Sequence, residues 1–127
     1  MIKSLSFRLP VFFAGLFGAS GTAGAAFAAH GGADAQLAAI AAAIAFVHAP
    51  ALLALGLGGE RLRAPLVPGI GMCLGVMLFS GDLATRIFTG GRLFANAAPA
   101  GGTILILSWL AFTVLACLPA KNANDRF

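Results

Sequence analysis

Four stretches of this chain each carry about twenty apolar residues, and three of them contain no charged side chain. Twenty residues is the length an α-helix needs to cross a hydrocarbon core roughly 30 Å thick. The runs cover about 9–29, 37–57, 66–88 and 100–118. Only the third holds acid or strong base, Asp82 and Arg86. The connections are short, so helices adjacent in sequence should be adjacent in space and antiparallel. The expected fold is all-α, a four-transmembrane-helix antiparallel bundle forming a single transmembrane domain over residues 1–127.

Composition supports this and removes other classes. Only 9% of residues are charged, against roughly 25% in a soluble domain, too few for a water-facing surface. Glycine is abundant, as suits helices whose backbones approach closely in lipid. The net charge is +4, but the basic residues stand singly between apolar runs and form no patch, so no nucleic acid partner is expected. Cys73 and Cys117 lie inside apolar runs, with no CxxC or Cys/His spacing. They read as small hydrophobes, and neither metal nor cofactor is expected.

Punctuation marks the helix ends. Pro10 is expected in the first turn of helix one, where its missing N–H costs little. His30-Gly31-Gly32 should end that helix through a left-handed glycine. Gly58-Gly59 closes helix two, Pro65 and Pro68 open helix three, and Gly90-Gly91 follows it. Pro99 is expected just before helix four, and Pro119 after it. Pro50 falls within helix two and should kink it near the Phe46 carbonyl. The first thirty residues also resemble a secretory signal peptide ending in small residues. Their apolar stretch exceeds the ~7–15 residues of such a segment, so they are read as a retained helix.

Basic residues orient the bundle. Lys3, Arg8, Arg61, Arg63, Lys121 and Arg126 fall in the three segments expected on one face. The opposite loops hold only Arg92. The positive-inside rule then puts both termini in the cytoplasm, in a bacterial inner membrane.

Ionisable groups inside a bilayer usually face the bundle interior or a partner. Asp82 and Arg86, four residues apart, share one helix face and suggest an intrahelical ion pair. Asp82 could instead anchor a neighbouring helix, a partner or a headgroup. His48, near the middle of helix two, suggests a hydrogen bond to another helix. Haem ligation by this chain alone is disfavoured, because His30 ends helix one roughly 15 Å away in depth. His30 can bond the last carbonyls of its own helix, or pair with Asp82 or Asn96. Trp109, mid-helix, should bond another helix, since interfacial Trp sits at helix ends. Glycines from Gly15 to Gly24 make a small-residue stripe on helix one. Gly71 and Gly75 form a GxxxG spacing for a close crossing, inside the bundle or between copies. No catalytic motif is present, so no enzyme is expected.

Several segments together resemble a known family. They are Gly24-Ala25-Ala26-Phe27-Ala28-Ala29-His30-Gly31, His48-Ala49-Pro50-Ala51-Leu52-Leu53, Leu78-Phe79-Ser80-Gly81-Asp82-Leu83, Ala98-Pro99-Ala100-Gly101-Gly102 and Ser108-Trp109. In this order they are similar to the YgdD-like family of small bacterial inner-membrane proteins, domain of unknown function 423. The resemblance implies four membrane helices and no established biochemical role. Asp82 departs from the small hydroxyl residue usual there, Pro50 replaces a helix-friendly residue, and the family's tyrosines are absent.

The leading expectation is a non-enzymatic accessory or structural subunit of a larger membrane complex, in contact with the lipid bilayer and with a membrane-protein partner or further copies of itself. One alternative is a small transporter or channel-like oligomer with His30, His48, Ser80, Asp82 and Asn96 along a polar path. Another is a lipid- or quinone-binding protein, or a small enzyme built on His48. It ranks last because no second reactive group lies at that depth.

Overall fold

Each apolar run folds as one continuous α-helix in the computed structural model of the protein, which describes residues 2–122 and 124, with side chains from Ser4 onward. The helices are α1 (Ile2–Ala29), α2 (Ala35–Gly58), α3 (Leu66–Thr89) and α4 (Ala97–Cys117), with a 3-10 turn at Gly59–Arg61. All four are long and apolar enough to cross a membrane. No strand occurs among the described residues.

Two boundaries depart from expectation. Helix α1 begins at Ile2, so Pro10 lies inside it and not in its first turn. Its 28 residues span roughly 42 Å at 1.5 Å per residue, longer than a hydrocarbon core. The first turns can therefore run on as helix among polar residues. Helix α4 begins at Ala97, which places Pro99 in its first turn and not before it. Proline is tolerated there because the first N–H groups have no intrahelical partner. Helix α2 continues through Pro50 to Gly58. Gly31, Gly32 and Gly90 take positive φ at the ends of α1 and α3, where a left-handed residue turns the chain out of the helix.

The bundle is two close helix pairs joined along one seam. Helix α1 packs on α2 and α3 on α4, while α2 and α3 link the pairs. Helix α1 touches α3 only sparsely. Along the first pair Gly18 faces Ala49, Gly21 faces Phe46 and Gly24 faces Ala42. Along the second, Gly71 faces Ser108, and Gly75 faces Leu105 and Gly101. The GxxxG surface of α3 is therefore occupied by α4 of the same chain. Leu52, Met72 and Val76 are fully buried between the pairs, with Phe17, Leu55 and Leu105 around them.

The two ends of the bundle differ in chemistry. At one end the segment after α4 returns to the α2–α3 connection. There the Lys121 N–H donates to the Arg61 carbonyl at 3.3 Å, and Arg63 Nε to the Pro119 carbonyl at 3.2 Å. Arg8, Arg61 and Arg63 are exposed. The side chain of Lys3 and all of Arg126, both used above to orient the chain, lie outside the described residues. The other end carries His30, Asp34 and Arg92.

Candidate functional site

The most polar group inside the spans is built around Asp82, which is fully buried while Arg86 keeps 26% of its side-chain exposure. One turn of α3 brings the two together. Arg86 Nη2 donates to Asp82 Oδ2 at 2.6 Å, and Nε to the same oxygen at 3.0 Å. The second oxygen, Oδ1, accepts the Leu93 N–H at 2.9 Å. Asp82 thus neutralises Arg86 and fastens the α3–α4 loop to α3. A carboxylate in this setting is tolerable only because both oxygens are occupied by donors.

His48 and Trp109 form the second polar contact. Trp109 Nε1–H donates to His48 Nε2 at 3.1 Å, and His48 Nδ1 lies 2.7 Å from the Ile44 carbonyl one turn back. The carbonyl requires a donor at Nδ1 and the indole requires an acceptor at Nε2, so the imidazole is neutral with its proton on Nδ1. The bond ties α2 to α4, whose backbones do not meet. Trp109 is the sole tryptophan and there is no tyrosine, so its emission reports this contact directly. His48→Leu should shift the emission to shorter wavelength as the indole loses its acceptor, and should cost about 1 kcal/mol. An unshifted spectrum in detergent would mean that the bond is absent.

The other singled-out polar residues bond backbone groups or act through their own backbone. His30 Nδ1 sits 2.7 Å from the Ala26 carbonyl at the end of α1. It does not reach Asp82, whose oxygens are held by Arg86 and Leu93. Ser80 Oγ–H donates to the Ala41 carbonyl of α2 at 2.9 Å, joining the two helix pairs. Asn96 acts through its backbone. It takes φ 64° before α4, and its carbonyl accepts the Ala100 N–H. Its side chain caps nothing. No buried side-chain nitrogen or oxygen among the described residues lacks a partner. No hydrogen bond joins any two of His30, His48, Ser80, Asp82 and Asn96. Cys73 and Cys117 are free thiols, one buried and one exposed.

A cavity of about 440 Å³ lies among α1, α2 and α3, toward the His30 end. Half of the residues lining it are alanine, including Ala41, Ala45 and Ala84, with Gly24 opposite. The side chains are too short to fill the space between the helices. The two hydroxyls in the wall each donate to a backbone carbonyl, Ser20 to that of Phe17 and Ser80 to that of Ala41. Phe27 and Phe88 bridge α1 and α3 at the rim, with ring centroids 6.3 Å apart.

The sequence singled out His48 and Trp109 but not their pairing, which joins residues 61 positions apart. It also passed over Leu93, whose backbone N–H holds Asp82, and the close approach of Gly101 to α3. For Gly101 a signal existed in the small-residue stretch from Ala97 to Gly102. For Leu93 none did, since any residue but proline supplies that N–H.

No solved structure matches the chain. The sequence does have a counterpart among family models. The model described as Protein of unknown function (DUF423) matches residues 24–102, from the end of α1 to the second turn of α4 and well over half of the sequence, and the chain belongs to that family.

Proposed function

We propose that this protein crosses a bacterial inner membrane four times as an antiparallel bundle with both termini in the cytoplasm. There it serves as a non-enzymatic accessory or structural subunit of a larger membrane complex. The observation that carries this reading is the state of its polar groups. Asp82, Arg86, His48, Trp109, Ser80 and His30 each bond within the chain, and two of these bonds, Trp109 to His48 and Ser80 to Ala41, hold helices together. The antiparallel order is supported by facing pairs whose numbers rise along one helix as they fall along the next. The orientation is supported by Arg8, Arg61, Arg63 and Lys121 at one end of the bundle.

One fusion tests both parts. Green fluorescent protein attached after Phe127 should fluoresce in the native host, as it does only on the cytoplasmic side. Pulled from mild detergent by that handle, the chain should bring down a membrane protein in fixed ratio. A dark fusion would reverse the orientation. A monomer that emerges alone would end the accessory-subunit reading.

A further inference from the structure

We propose that the cavity among α1, α2 and α3 holds one hydrocarbon chain of a membrane phospholipid, entering sideways between α1 and α3. The proposal rests on the reading above that these helices cross a bilayer, and adds a lipid site to it. The walls come from the middle and His30-side portions of the spans, so the surrounding medium at that depth is hydrocarbon. The open side faces that medium, because α1 and α3 meet only sparsely. They approach near Pro10 and Gly69, whose distance to an added Cβ would be 3.9 Å, and again where Phe27 and Phe88 touch.

The chemistry of the wall selects the occupant. A buried water needs two to four polar partners, and the serine hydroxyls that line the space already donate to backbone carbonyls. A helix from another protein is about 10–12 Å across with its side chains. Phe27 and Phe88 touch across α1 and α3 at the rim, so an object that wide cannot lie along the whole opening. A single polymethylene chain is thin and flexible, makes no hydrogen bonds, and matches a wall of alanine methyl groups. The volume of about 440 Å³ falls within the size of ordinary ligand pockets.

The test uses the full chain in nanodiscs of phosphatidylethanolamine and phosphatidylglycerol, doped with a phosphatidylcholine that carries a diazirine midway along one acyl chain. After irradiation, mass spectrometry locates the labelled residues. Ala41, Ala45 and Ala84 should be labelled several-fold more than Leu107 and Leu110 on the exposed face of α4. In the double variant Ala45→Leu, Ala84→Leu, cavity labelling should fall to the level of α4 while α4 labelling stays the same. Label on α4 without enrichment in the cavity would overturn the proposal and leave the membrane reading intact. Cavity labelling that survives the filling substitutions, or a protein found seated there, would also overturn it. No label anywhere would overturn both. If the double variant does not fold, the ratio measured in the unaltered protein decides alone.

Discussion

Replacing Arg86 by alanine is expected to lower the thermal unfolding midpoint by roughly 10 °C or more, and by more than removing Asp82 and Arg86 together. An exposed pair four residues apart on a helix contributes little, because water screens both partners. This pair differs because Asp82 is fully buried while its partner reaches the surface. Without Arg86, the carboxylate keeps only the Leu93 N–H and stays buried without a countercharge. Removing the acid as well eliminates that stranded charge, so the double variant Asp82→Ala, Arg86→Ala should recover part of the loss. Asp82→Ala alone should be intermediate, since Arg86 can turn its head outward while the α3–α4 loop loses its tether. Melting curves in one detergent, followed by helical circular dichroism, give the order. Equal midpoints for Arg86→Ala and the double variant would show that the buried carboxylate is not the source of the cost.

The four helices were legible in the sequence because crossing hydrocarbon imposes one strict requirement, a run of apolar residues of fixed length. The Asp82–Arg86 pair was legible for a similar reason, being local to one helix turn. Which helix each joining residue meets was not. The Trp109 bond to His48 depends on how far α4 stands from α2, and the Leu93 N–H is a backbone group that any non-proline residue supplies. The start of α1 was misplaced because Lys3 and Arg8 end an apolar run without ending a helix. The start of α4 was misplaced because Pro99 was taken as a barrier when the first helical turn accepts it. The cavity was invisible for a related reason. Alanine at 41, 45 and 84 reads as ordinary membrane helix until three helices are placed around the space those side chains leave.

Gly101 and Gly102 offer the sharpest contrast in packing, because adjacent substitutions should behave oppositely. A methyl group on Gly101 would lie 2.6 Å from the Phe79 nitrogen and 2.8 Å from the Gly75 carbonyl oxygen. Both obstacles are backbone, so no rotamer change relieves them and α3 and α4 must move apart. Overpacking of this kind costs about 3 kcal/mol. The loss is felt fully in lipid, where close packing rather than hydrophobic exclusion holds helices together. On Gly102 the same methyl would meet only the Phe79 ring, at 3.6 Å, an ordinary contact. Gly102→Ala should therefore be neutral, or gain up to about 1 kcal/mol from the better helix propensity of alanine. Gly15→Ala, with nothing within 4 Å of the new group, should behave like Gly102→Ala. Denaturation with sodium dodecyl sulfate in mixed micelles, followed by Trp109 emission, ranks the three. Since Trp109 lies on α4, its signal should also change early if Gly101→Ala loosens that helix from α3. A Gly101→Ala variant as stable as Gly102→Ala would mean that the α3–α4 crossing is wider than its glycines require, and that Ser108 and Leu105 carry the contact instead.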